Sequence, residues 1–531
     1  MSVEAAAYQL KALRDDSATG PDLLPTRILK QCAVSLALPV YLLALSIIRC
    51  GMWPSCWGIH WVAAIFKKKN VYDPGNYRGV HMTAQLAKVI ERLLQPIFCP
   101  ALMSEASIGS NQFAYCRGRG ARDAIAFLVV SWLKAFQEKA RIGLYMSDVS
   151  AAFDRVFMNR LLEKLKKRGV PDDILAVFAS WLRARWAEVV VGGSRSTKML
   201  LQDMVFQGTV WGPMFWNIFF EDSSQAIWKN NFTEIIFADD LNAFRKYGRG
   251  VKNDIILKDM EACQNELHLW GRANQVTFDA KKESKHILSR SDAYGDPFDL
   301  LGIRFDCKLI MSDTVTDLAQ NCRWKLKAIL RTSRFNTGLQ LVTLYKAQLL
   351  TFIEYRTAAI YHACRSSLEC LDHVQEKLLL AAGLSAIDAL NVCCLAPLAC
   401  RRDMALLGLI HRSVLGRGPS HFGSFFQADW QAREEGRGSH RLQLVGHKDG
   451  HWTDFAFPSS RPAEYISNSL LGLVSVYNRL PAQIVESSGC VPSFQTALQS
   501  LLAHHANSGI MDWALTFSPR VPWHRHVLTR A

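Results

Sequence analysis

The chain has 531 residues, of which 49% are hydrophobic and 21% charged; that balance sustains a large core, excludes wholesale disorder and leaves room for roughly three or four domains. Lys plus Arg number 62 against 47 for Asp plus Glu, a net charge of +15, which suits a polyanionic partner such as nucleic acid. The 14 cysteines form no C-x-x-C pair and no Cys/His cluster with zinc spacing, so free, buried thiols are expected rather than a disulfide framework or a zinc site.

Residues 1–20 read as a short polar helix and a loop, and their acidic residues exclude a secretory signal. GPDLLPTRILKQCA starts a helix after a turn, with Pro25 near its first turn. The apolar run Cys32 to Ile48 is at the lower length limit for a membrane span; it contains Pro39, and a buried helix is expected. WVAAIFKKKN reads as a strand running into a basic patch, DPGNYRG as a turn, and MTAQLAKVIERLLQPIF as a helix. IGLYMS, residues 142–147, is a strand ending at Asp148, and MNRLLEKLKKRGV an amphipathic helix ending at Gly169. ILAVFASWLRARWAEVVVGG follows as helix then strand, and TEIIFADDLNAF as two strands around an Asp239–Asp240 turn. That turn lacks the glycine a two-residue hairpin favours, as expected of a functional site. From about 315 the pattern becomes mostly helical, with a Gly-, Ser- and His-rich stretch near 415–460 that reads as a mobile insert.

Two acidic elements carry the chemistry. Asp148 closes an apolar strand, and Asp239 and Asp240 sit between two hydrophobic runs. Like unit charges ~4 Å apart repel by about 4 kcal/mol at an effective dielectric of 20, so a cation belongs between them. If two strands of one sheet bring these carboxylates together, a pair of Mg²⁺ ions fits, as in two-metal phosphoryl transfer. Taken singly, each element is also what an ordinary strand end or turn provides.

Order and neighbours decide between these readings. TGPDLLPTRIL, PSCWGIHWVAAIFKKKNVYDPGNYRGV, LAKVIERLL, NQFAYCRGRGARDAI, LYMSDVSAAFD, QGTVWGPMFWNIF, IIFADD and LLGIRFD follow one another from about residue 20 to 365. In this order and spacing they resemble the reverse transcriptases of eukaryotic non-LTR (LINE-like) retrotransposons. The resemblance implies an α+β right-hand polymerase: fingers over 21–141, a palm with an antiparallel sheet over 142–312, a helical thumb over 313–365, and a mostly helical region over 366–531.

It also implies roles. Asp148, Asp239 and the Val149 carbonyl would hold two Mg²⁺ ions, with Mn²⁺ as a substitute, and Asp240 is the second acid of the pair. Phe153 would pack under the sugar of the incoming nucleotide and exclude a 2′-OH, the group that separates RNA from DNA precursors. Asp154, on the opposite face if the segment is extended, is expected to be structural. Lys67, Lys68, Lys69 and Arg78 lie where the fingers hold the triphosphate, with Lys67 and Arg78 preferred. Gln207 and Gly208 line the nucleotide pocket, and Lys282 is a proton donor or phosphate contact. Arg117, Arg119 and Arg122 contact template backbone, and Leu301 and Gly302 lie in the hairpin that grips the primer end. Departures from the family pattern are Phe237 for tyrosine, Phe206 for proline and Leu23 for glycine; none removes a catalytic group.

The implied partners are an RNA template, a DNA primer and dNTPs, with no membrane partner. The implied location is nuclear or cytoplasmic, nuclear at the insertion step, and not secreted. No endonuclease is expected within this chain. The competing reading is a catalytically inactive, polymerase-derived nucleic-acid-binding or scaffold protein, against which the retained Asp148, Asp239, Asp240 and Phe153 argue. An RNA-directed RNA polymerase is disfavoured by Phe153, and telomerase by the lack of an RNA-binding domain before the fingers.

Overall fold

The structure is a computed structural model, and it describes residues 1–67, 70–428, 442–444 and 464–529. Thirteen strands are found among them: β1 Ile59–Phe66, β2 Tyr77–Met82, β3 Arg141–Asp148, β4 Arg185–Val191, β5 Ser194–Arg195, β6 Met199–Leu201, β7 Thr233–Phe237, β8 Asp240–Tyr247, β9 Ser284–Leu288, β10 Phe298–Leu300, β11 Ile303–Phe305, β12 Phe426–Ala428 and β13 Leu442–Leu444. One sheet has the order β2-β1-β4-β5, with β6 also on β4. It is mixed, because β1 runs antiparallel to β2 and parallel to β4. A second sheet has the order β7-β8-β3-β9. Its β3 is buried at nearly every position, as a strand covered on both faces must be, and this is why IGLYMS reads as a continuous apolar run.

The chain divides into two compact units. One comprises Met1–Cys116, Tyr145–Ala243 and Glu261–Ser284; the other comprises Arg117–Leu144, Phe244–Met260 and Lys285–Ala531.

In the first unit, helix Ala33–Cys50 corrects an expectation. Only one face is buried, and its residues are mostly small: Ala33, Ala37, Val40, Ala44 and Ile47. Small side chains let it approach helices Val3–Lys11 and Asp172–Leu182 closely. The larger Val34, Leu38 and Leu42 are turned outward and exposed, so the helix is buried on one side only, where a buried helix was expected. By length and composition this helix is apolar enough to cross a membrane. Helix Gly212–Phe220 is buried at every residue but Pro213; Phe178 meets Trp211 and the helix's Phe215 edge-to-face, and Trp181 is tilted against the same two rings.

The second unit is mostly helical. LQLVTLYKAQLLTFIEYRTAAIY is one helical path, with a π turn over Lys346–Leu350 between Gly338–Tyr345 and Thr351–Glu354. Helix Arg365–Ala382 ends at Gly383 with φ +67°, a left-handed stop that glycine adopts without strain. Of the stretch 415–460, residues 420–424 form a 3₁₀ turn and β12 pairs with β13; 429–441 and 445–460 lie outside the described residues. The thiols are not uniformly buried: Cys263, Cys307, Cys322 and Cys400 are, whereas Cys32, Cys50, Cys56, Cys364 and Cys394 are exposed.

Candidate active site

The start of β8 lies beside the end of β3, because the two strands are neighbours in the sheet. This brings Asp240 and Asp148 into side-chain hydrogen-bond contact, with Asp239 next to both in the turn. Two carboxylates so close favour a shared proton. Burial first, then the charges of Asp239 and Asp148, push the Asp240 carboxyl up to about 7. Burial and Asp148 likewise raise Asp239, while Arg78 and Lys282 oppose the shift.

The turn between β7 and β8 is Ala238–Asp239, one residue earlier than the spacing suggested, since β8 already begins at Asp240. Ala238 takes the left-handed conformation that glycine would otherwise supply, φ +60°. A distant side chain holds it there. Gln112 Oε1 accepts from the Ala238 N–H at 3.1 Å, and its Nε2 donates to the Ala238 carbonyl at 3.4 Å. Trp216 Nε1 donates to the same carbonyl at 2.9 Å. Asn111–Phe113 runs along the outer edge of β7, exchanging backbone bonds with Ile236. Sequence reasoning missed Gln112; its only signal was a place inside NQFAYCRGRG.

Val149 pairs with Phe278 in an antiparallel bridge. The flanking bonds are Ser150 N–H to Thr277 O, 2.9 Å, and Asp279 N–H to Asp148 O, 3.0 Å. Val149 is therefore a non-hydrogen-bonded position, and its own carbonyl points away from this ladder. Lys282 Nζ is ion-paired with Asp148 and lies 3.8 Å from Asp279. Burial opposes its charge, but the bond to Asp148 and the charges of Asp148, Asp279 and Asp239 raise its pKa overall. A cation thus already sits against these carboxylates.

Phe153 is buried, but in a 3₁₀ turn, Ala152–Arg155, not an extended segment. Asp154 therefore follows it in the turn rather than lying opposite across a strand. The Phe153 ring stacks on Trp216 (5.7 Å, 19°) and meets Tyr115 edge-on at 6.3 Å. Partial burial raises the Tyr115 phenol, Asp239 raises it further and Arg78 opposes. Tyr115 and Arg78 are therefore both at the rim of the carboxylate site. Lys67, at the end of β1, acts on Asp154, opposing the upward shift that desolvation causes there. Lys68 and Lys69 lie outside the described residues.

Gly208 has φ +97°, and a Cβ there would lie 2.9 Å from the His81 carbonyl. The Gln207 carbonyl accepts from His81 N–H at 2.7 Å. The close approach that glycine permits is thus to β2. Buried Glu91 holds the rest of this loop, accepting from Val210 N–H (2.6 Å), Trp211 N–H (3.3 Å) and Trp181 Nε1 (3.0 Å).

All these residues belong to the first unit. Arg117, Arg119, Arg122, Leu301 and Gly302 belong to the second. Arg117 and Arg122 are exposed, and Gly118 between the arginines has φ +77° with no room for a Cβ beside the Arg417 carbonyl. Leu301 (φ +48°) and Gly302 (φ +75°) form the two-residue turn of the β10–β11 hairpin, the left-handed pair such a hairpin requires. Tyr355 Oη donates to the Leu301 carbonyl at 2.8 Å.

The donor set fits divalent cations: crowded carboxylates with raised protonation, and a backbone carbonyl turned off its ladder. Among the described residues no three His, Cys, Asp or Glu side chains converge closely enough to hold a metal unaided. A cation here needs further oxygens, as Mg²⁺ does when it takes few carboxylates plus substrate phosphates.

Residues 66–305, which span this carboxylate cluster, match the family of reverse transcriptases, RNA-dependent DNA polymerases. The chain is also similar to polymerases of non-LTR retrotransposons. It is 25% identical over 402 residues to the RNA-directed DNA polymerase from mobile element jockey of Drosophila funebris, covering 71% of this chain and 43% of that protein. It is 28% identical over 221 residues to the probable RNA-directed DNA polymerase from transposon BS of Drosophila melanogaster, covering 41% and 24%. To that from transposon X-element of Drosophila melanogaster it is 24% identical over 385 residues, covering 68% and 42%. The chain spans less than half the length of these relatives.

Proposed function

We propose that the chain is the polymerase portion of a LINE-like retroelement, an RNA-directed DNA polymerase that adds dNTPs to a primer 3′-OH on an RNA template. The observation that carries this reading is the meeting of Asp148, Asp239 and Asp240 at adjacent strand ends, with Lys282 and Arg78 directed at them.

Asp148, Asp239 and the Val149 carbonyl would hold Mg²⁺, two ions in the family's mechanism, with Mn²⁺ as a substitute. Bound there, the metals stabilise the attacking and leaving oxygens of an in-line displacement. Asp240 sets the charge of the cluster through its contact with Asp148. Arg78 and Lys67 supply cations for the triphosphate, where preorganised positive charge favours the developing pyrophosphate. Lys282 holds a proton beside the carboxylates, ready for the leaving group. Gln207 and Gly208, fixed by His81 and the Glu91-held loop, form one wall of the nucleotide pocket.

Phe153 is the sugar gate in this reading. Its ring has no freedom to retreat, being stacked on Trp216 and flanked by Tyr115. Phe153→Val should admit rNTPs, raising the rNTP-to-dNTP ratio of kcat/KM by at least about tenfold, a shift of roughly 1.4 kcal/mol in relative transition-state binding. An unchanged ratio would remove Phe153 from the gate.

The finer architecture belongs to the same proposal: fingers over 21–141, palm over 142–312, thumb over 313–365 and a helical region after it. In it, Arg117, Arg119 and Arg122 meet template phosphates and the Leu301–Gly302 turn meets the primer. Insertion into chromosomal DNA sets the site of action in the nucleus. A non-catalytic scaffold has no use for three carboxylates held together at a cost in repulsion, which favours the enzyme.

A further inference from the structure

We infer that Glu283 is a positioning residue for Lys282: its carboxylate is clamped in the interior so that the turn carrying the lysine delivers the ammonium to Asp148. The role of Lys282 rests on the polymerase reading above; the clamp itself is a matter of geometry.

Lys282 has an exposed side chain, 61% accessible, on a flexible four-carbon stem. The ion pair with Asp148 holds the tip of that stem, and it forms only where the backbone beneath the lysine is itself held. The turn supplies part of the hold: Lys282 N–H and Glu283 N–H both donate to the Asp279 carbonyl, at 2.8 and 3.1 Å. The adjacent Glu283 side chain is 6% accessible and receives donors from two elements. Tyr145 Oη and Ser147 Oγ (3.4 Å) donate from β3, the strand that ends in Asp148. Gln264 Nε2 (3.0 Å) and His268 Nε2 (2.9 Å) meet it from helix Asn253–Asn274, where their four-residue spacing puts both on one face.

The ring of His268 is itself fixed, stacked on Phe278 at 5.2 Å and 4°. Gly271 makes room for that ring, since a Cβ there would lie 2.7 Å from Phe278. Asp148 and the Glu283 clamp thus share one strand, and Lys282 and Glu283 share one turn. A buried carboxylate is costly unless its lone pairs are filled. Here they are filled by groups whose common effect is to lock the turn to the strand bearing Asp148.

The test is a double-mutant cycle in single-nucleotide extension, with a spectroscopic companion that needs no activity. Glu283→Gln, which keeps shape and loses charge, and Glu283→Ala should lower kcat by at least about tenfold, with the dNTP KM and template-primer affinity changed by less than about twofold. In a Lys282→Ala background the same changes should cost less than about twofold, since residues acting through one another are non-additive. In ¹³C-dimethylated protein, the Lys282 signal, assigned with Lys282→Arg, should stand apart from the bulk lysines and move toward them in Glu283→Ala. If wild type shows no extension while the signal behaves so, the clamp stands and the polymerase reading falls. Equal losses in both backgrounds, or a Lys282 signal indifferent to Glu283, would overturn the proposal.

Discussion

Asp240 is destabilising where it stands. Its carboxyl is raised to about 7 by burial and by Asp239 and Asp148, whereas an unfolded aspartate titrates near 3.9. A raised folded pKa means that the native state binds more protons than the unfolded one between roughly pH 4 and 7, so stability falls as pH rises through that window and the full penalty applies above it. Asp240→Asn should therefore stabilise the metal-free fold at pH 8 by about 1–3 kcal/mol, from a shift of up to a few pH units at about 1.4 kcal/mol each, and leave it unchanged near pH 4. Thermal melts at the two pH values check this. Added Mg²⁺ should raise the wild-type midpoint more than that of the variant. No change at pH 8 would mean that the carboxylates do not repel. LYMSD and FADD disclosed the three acids as a candidate cluster only together with the order of the neighbouring motifs. Gln112 was not, because the turn it holds lies 126 residues further along the chain and no local pattern encodes such a bond.

Among elements, the turns record where sequence reasoning met its limits. The hairpin rule asks for glycine near Asp239, and its absence flagged a functional turn; the strain was then found on Ala238, supported by Gln112 and Trp216. The departure Leu23 has a similar explanation. It occupies φ +56° with its side chain 60% exposed, in a turn where its N–H donates to Gly20 O at 3.0 Å. A leucine there carries about 1–2 kcal/mol of left-handed strain and buries little. Leu23→Gly should stabilise the protein by about 0.5–1 kcal/mol once the glycine's extra unfolded-state entropy is set against that relief. Denaturant titration measures it, and a loss of stability would show that the leucine side chain contributes more packing than its exposure implies. Helix Ala33–Cys50 marks another limit. Its apolar residues surround the axis, so periodicity gave its existence but not its buried face. Close approach to neighbouring helices selected the alanine side.

For the whole molecule, the excess of 15 positive charges is an argument about partners rather than fold. If the chain grips a template-primer duplex through phosphates, log Kobs should fall linearly with log salt; six contacts cost roughly a thousandfold between 50 and 200 mM. A flat profile in an anisotropy titration would count against the duplex as ligand. The motif order disclosed the region that matches the reverse transcriptase family, because each segment is short, polar at fixed places and tied to a turn or strand end. The helical region after residue 365 disclosed little beyond its helices, since packing residues are interchangeable in a way that carboxylates are not.

If Asp148, Asp239 and Asp240 form a nucleotidyl-transfer site, primer extension on an RNA template with dNTPs and Mg²⁺, wild type beside Asp239→Asn, will read it out. Wild type should extend the primer, and Asp239→Asn should lose extension while still folding and binding template-primer. A well-folded wild type that binds template-primer and extends nothing, or an Asp239→Asn variant that extends as well as wild type, would contradict it.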